Sequence, residues 1–87
     1  MEGKYKVNVG KDPAEDYALQ AIFELNRGVN QVEIVGYAEN ICKVVDVFLE
    51  MKSRLGDSLK ISSHEIGSTK IKGKRSNYLK IVVEKIL

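Results

Sequence analysis

The hydrophobic period of this chain switches back and forth between two residues and about 3.6, which leaves few architectures open. Tyr5-Lys6-Val7-Asn8-Val9 alternates apolar and polar, as a half-buried strand does. Asp12-Pro13-Ala14-Glu15 marks a helix start: Asp12 can cap, Pro13 suits the first helical position, and Glu15 can reach back as in a capping box. Tyr17, Ala18, Ala21, Ile22 and Leu25 then recur on one helical face, and Gly28 supplies the stop. Gln31-Val32-Glu33-Ile34-Val35 is a second strand, with Gly36 near its end. A second helix is expected from about Asn40 to Leu55, its apolar face made by Ile41, Val44, Val45, Phe48, Met51 and Leu55, with Gly56-Asp57 closing it. Leu59 to Thr69 and Asn77 to Leu87 follow as two longer strands, the last showing Leu79, Ile81 and Val83 on one face.

The order strand-helix-strand-helix-strand-strand predicts an α/β two-layer sandwich with a mixed four-stranded sheet. Each helical crossover lets the first three strands run parallel, and the terminal hairpin adds an antiparallel one. A chain of 87 residues reads as one domain, 1–87, with no linker or repeat. A core of that size is modest, and such domains often gain stability by burying further surface in an oligomer.

Charge placement is uneven. Lys70-Ile71-Lys72-Gly73-Lys74-Arg75 lies between two alternating apolar segments and reads as a hairpin tip pushed into solvent. The chain carries +2 at pH 7, so without those four cations the remainder is net negative by two. Concentrated charge on a projecting tip suits phosphate contact, and equally keeps a sheet edge from pairing with other chains. The near-neutral total excludes a generally polybasic protein.

Little here points to catalysis. His64 is the only histidine, and no Cys/His/carboxylate group has metal-ligand spacing, so neither a metal nor a cofactor is expected and the chain does not read as an enzyme. Alternation from Leu59 and Ile61 would aim Ser63 inward; a bulge at Ser62-Ser63 would place His64 and Ile66 on the inner face instead. Cys42, in the first turn of the second helix beside Lys43, reads as a small packed residue. A lone cysteine excludes an internal disulfide framework and fits a reducing compartment. No apolar run is long enough to span a membrane, and Met1-Glu2-Gly3-Lys4-Tyr5 lacks a signal-peptide core, so the expectation is a soluble intracellular protein.

The loops before the two helices each follow a parallel strand and open a helix, which puts both helix N-termini at the sheet edge where α/β proteins bind anions. Gly10-Lys11-Asp12-Pro13, the Asn26-Arg27-Gly28-Val29 exit, the Ile41-x-Lys43-x-Val45-Asp46 helix start and Gly67-Ser68 in the third strand together resemble the Alba proteins of archaeal chromatin. The resemblance runs from Val9 to Glu84 in the same element order. It implies a dimer of an α/β domain similar to the C-terminal domain of translation initiation factor three, binding DNA and RNA with little sequence preference. It also implies nucleoid association in the cytoplasm. Family members use a lysine pair in the first loop, an arginine-rich second loop and two basic hairpin arms. Carried onto this chain, that suggests Lys11, Lys43, Lys70, Lys72, Lys74 and Arg75 as nucleic-acid contacts.

Departures from the pattern shape the expectation. The family's Gly-Lys-Lys-Pro is Gly10-Lys11-Asp12-Pro13 here, and its Arg-Gly-Arg is Tyr37-Ala38-Glu39. Asp12 as a cap would contribute about 0.5–2 kcal/mol, and Glu39 suits a helix N-terminus and can pair with Lys43. Both compete with phosphate. The reading is therefore weaker affinity for double-stranded DNA than a lysine-pair member shows, carried mainly by the arm, with Tyr37 stacking on an unpaired base of RNA or a single strand. The dimer is expected as a homodimer or, given the acidic loops, a heterodimer with a more basic paralogue; the alternative function is a protein-binding subunit of a ribonucleoprotein. In the family the second helix and the last two strands form the dimer interface, which points to Phe48 and Val82.

Overall fold

The computed structural model describes residues 3–86. They form β1 (Lys4–Asn8), α1 (Ala14–Asn26), β2 (Gln31–Tyr37), α2 (Ile41–Leu55), β3 (Leu59–Ile71) and β4 (Lys74–Lys85), with short 3-10 turns at Ala38–Asn40 and Gly56–Ser58. The sheet is mixed and four-stranded, in the order β1-β2-β4-β3. β1 pairs parallel with β2, and β4 runs antiparallel to both its neighbours. β3 thus points the same way as β1 and β2, as expected, but β4 lies between. The residues explain the insertion. Leu79, Ile81 and Val83 are buried on the helix side of β4 and Val82 on its other side, whereas only Leu59 of β3 is buried. A strand apolar on both faces belongs in the middle of a sheet and a polar one at its edge.

The core is the layer between helices and sheet. Ala18, Ala21 and Leu25 of α1 and Val44, Val47 and Met51 of α2 meet Val7, Val32, Ile34, Leu79, Ile81 and Val83. The α1 face anticipated from periodicity is the packed one, with Tyr17 and Ile22 partly buried at its margins. On α2 the packed face is rotated: Val47 is fully buried, while Val45 is exposed. The apolar stripe of α2 is wider than the core it meets.

The helix start also differs from expectation. α1 begins at Ala14, its cap position is the extended Pro13, and no side chain caps it among the described residues. Glu15 does not reach back; it pairs with Arg54 of α2 at 2.9 Å. Gly28 closes α1 at φ +105°, with the Val29 amide donating to the Glu24 carbonyl.

The β3–β4 register shifts between Ile61 and Ser63, which sets His64 opposite Ile81 and Ile66 opposite Leu79. The bulge therefore turns both toward the helix side, but no helix roofs them there: both stay exposed, Ile66 at 77%. Beyond the Tyr37–Tyr78 pair, β2 has ended, and residues 68–71 and 74–77 pair only with each other. Four residues at about 3.4 Å each carry this two-stranded arm ~14 Å past the sheet. Lys72 and Gly73 turn it, both at positive φ (52° and 80°), as a tight primed hairpin turn requires. The arm draws the molecule out to 41 × 24 × 17 Å.

Candidate nucleic-acid interface

The arm carries its cations on two faces. Cross-strand register puts Lys70 opposite Arg75 and Ile71 opposite Lys74, with Lys72 at the turn. All four cationic residues are exposed, and none makes an ion pair among the described residues. Residues without protein partners keep their charge available to phosphate.

The loop before α1 lies at the same sheet edge and is held from beneath. The Tyr17 hydroxyl accepts from the Gly10 amide at 2.8 Å and the Asp12 amide at 3.3 Å. Lys43 reaches across from α2 and donates to the Gly10 carbonyl at 2.8 Å and the Asp12 carbonyl at 2.9 Å. Lys43 therefore anchors the loop, and the expected Glu39–Lys43 pair does not form. Lys11 and Asp12 stand exposed at the crest, with Glu39 exposed on the neighbouring turn.

That neighbouring turn stores strain. Ala38 adopts φ +53°, the left-handed region that glycine enters freely. A Cβ there costs about 1–2 kcal/mol, offset in part by the greater unfolded-state freedom of glycine. Ala38→Gly is expected to raise stability by ~0.5–1 kcal/mol in urea denaturation. A lowered midpoint with unchanged slope would contradict it.

Tyr37 ends β2 on the sheet face away from the helices, half-buried, its ring centroid 5.8 Å from that of Tyr78 at 52°. Tyr78 and Lys80 escaped notice in the sequence, which drew attention to the Leu79, Ile81 and Val83 set; the alternate positions Ser76, Tyr78 and Lys80 were the available signal. The Tyr78 ring covers Gly67, where a Cβ would lie 2.6 Å from the Tyr78 hydroxyl oxygen. The hydroxyl donates to the Glu65 carboxylate, which also pairs with Lys80 at 3.3 Å. The Tyr78 hydrogen bond, then Lys80, hold the Glu65 carboxyl below its ordinary range, and the same bond raises the Tyr78 phenol.

Cys42 does not pack as expected: at the opening of α2 its side chain faces outward and is exposed, as is His64, and no group of three or more metal-ligating side chains comes together among the described residues. Nor is any described helix long and apolar enough to cross a membrane.

Fold and surface together define a two-layer α/β protein with a cationic two-stranded arm beside two helix-opening loops. The family model for Alba matches residues 6–72. DNA/RNA-binding protein Alba 2 of Saccharolobus shibatae is 31% identical over 72 residues, covering 83% of this chain and 81% of that protein. Its namesake in Saccharolobus solfataricus matches at the same identity and coverage. Among solved structures, Alba from Thermoplasma volcanium superposes with a TM-score of 0.85 at 20% identity, covering 92% of this chain and 99% of that one. The ALBA1 protein of Trypanosoma brucei gives 0.81 at 18% identity, over 92% of this chain and 68% of that one. The chain belongs to the Alba family.

Proposed function

We propose that this chain is a sequence-tolerant DNA- or RNA-binding protein with architectural or RNA-associated duties, associated with the nucleoid. One observation carries the reading: a projecting arm whose four cationic residues have no ion-pair partner among the described residues. The names of the Saccharolobus relatives support it. Lys70, Lys72, Lys74 and Arg75 would follow a groove and neutralise phosphates, while Lys11 and the helix N-termini meet the backbone between two arms. Flexible lysines on an arm offer no fixed array for base edges, so little sequence discrimination follows. Asp12 and Glu39 oppose phosphate at the loops, which shifts the work to the arm. An anisotropy titration of duplex DNA, structured RNA and a single strand across salt concentrations tests this. Absence of binding to all three at low salt would end the proposal.

Two arms require a dimer, and an unroofed apolar flank supports one. Val45 and Leu49 of α2 are 40% and 55% exposed, beside the bare helix-side face of β3 with Ile61 at 42% and Ile66 at 77%. The residues expected at such an interface fit less well: Phe48 packs against the core, and Val82 is buried on the opposite sheet face. The occupant is a second copy, or a more basic paralogue with the same flank, which the exposed Asp12 and Glu39 would complement. Ile66→Glu should leave the fold intact, because Ile66 packs little within the protomer, yet weaken the dimer at least ~10-fold. Light scattering against concentration reads this directly; an unchanged dimer would place the interface elsewhere.

A further inference from the structure

The helices cover one face of the sheet only. We infer that the other face holds an unpaired RNA nucleotide, its base stacked on the Tyr37–Tyr78 pair. This rests on the nucleic-acid reading and adds a second binding mode and a ligand class to it.

Tyr37 and Tyr78 are register partners on the two central strands, β2 and β4. They border a groove of about 310 Å³ floored by Val35 and flanked by Lys6, Glu33 and Lys80. Aromatic side chains on central strands of an open four-stranded sheet are what RNA-recognition modules use to stack splayed bases. The Tyr78 ring is set in advance: glycine at 67 leaves room for it, and Glu65 takes its hydroxyl. A preset ring costs little ordering on binding. Lys74, Ser76, Tyr78 and Lys80 alternate along one face of β4, so a strand held by Lys74 reaches the tyrosines after ~14 Å.

The carboxylates select the ligand. Glu33 and Glu65 lie among the lysines and only accept hydrogen bonds, so they disfavour phosphate and favour a donor. Ribose 2′-hydroxyls and base amino groups are such donors, and an unpaired strand presents both beside its phosphates. A duplex keeps its bases stacked inside and cannot use the tyrosines.

The test is anisotropy with a short labelled single-stranded RNA, the DNA strand of the same sequence, and a DNA duplex. Tyr37→Leu and Tyr78→Leu are each expected to weaken the RNA strand about tenfold or more and leave the duplex unchanged. Tyr78→Phe keeps the ring and should keep RNA binding, and the DNA strand should bind the wild-type chain less tightly than RNA. Tyr37→Leu leaves the packing of Tyr78 on Gly67 alone, so it stays informative if Tyr78→Leu unfolds the protein. Unchanged RNA affinity, equal losses on strand and duplex, or a DNA strand bound as tightly as RNA would each overturn the assignment. If the wild-type chain binds the duplex but the tyrosine variants match it on RNA, only the sheet face fails. A wild-type chain silent on every ligand sinks the nucleic-acid reading itself.

Discussion

Neutralising Lys70, Lys72, Lys74 and Arg75 to glutamine is expected to remove most duplex affinity and flatten its salt dependence. Each phosphate that the protein no longer neutralises lowers the slope of log affinity against log salt by about 0.9. Four phosphates, the reach of one arm, thus account for a slope of ~3.6 and roughly a hundredfold change in affinity between 50 and 200 mM salt. Two arms would double the slope. The fold should not suffer, since the side chains are exposed and lack ion pairs among the described residues. Surface changes of this kind stay within about ±0.5 kcal/mol, and relieving the like charges of Lys70 and Arg75 across the strands is favourable. An unchanged slope with unchanged stability would show that the arm does not hold the phosphates.

Gly36→Ala is expected to destabilise the protein by about 2–3 kcal/mol, as overpacking does, and to lower the melting temperature by roughly 8–24 °C. A Cβ at Gly36 would stand 2.6 Å from Val44 Cγ2 and 2.7 Å from the Asn40 carbonyl oxygen. Neither neighbour gives way easily. Val44 is fully buried with a stiff, branched side chain, and the Asn40 oxygen is backbone at the start of α2. Gly73→Ala is the comparison: nothing lies within 4 Å of its Cβ, though φ is +80° in the hairpin turn, so only the left-handed cost of about 1 kcal/mol applies. Thermal unfolding by circular dichroism separates the two. If Gly36→Ala melts no lower than Gly73→Ala, close approach of β2 to α2 does not explain the glycine.

Both expectations concern the same sheet edge. Gly36 lets β2 approach α2 closely, Lys43 of α2 reaches under the first loop, and that loop follows β1 at the same end of the sheet as the Tyr37–Tyr78 pair where the arm begins. Lys43 illustrates what spacing alone conceals. As a cation in the first turn of a helix it reads as a phosphate ligand or a partner for Glu39, whereas two carbonyls from a loop 31–33 residues away engage it. Asp12 and Glu15 form a capping motif on paper, yet Glu15 reaches a longer-range partner in Arg54. Local capping, about 0.5–2 kcal/mol, and a cross-helix ion pair, up to about 1 kcal/mol, overlap in size, so tertiary geometry decides between them.

Local periodicity, by itself, settled the element order, the packed face of α1 and the helix-side face of β4, while for β3 it left open both plain alternation and the bulge that turns His64 and Ile66. It also located the cationic hairpin tip at Lys70–Arg75, though the strands run on through Ile71 and from Lys74, which narrows the turn itself to Lys72-Gly73. These depend on residues near one another in the chain, where a period of two or 3.6 translates directly into a face. Tertiary structure decided the rest: β4 at the centre of the sheet, the bare flank beside α2, the anchoring of Lys43, and Tyr78 brought beside Tyr37 over Gly67. Those pairings join segments distant in the chain. They follow from which strand can bury both faces and which backbones can approach closely, choices that exist only once the layers pack.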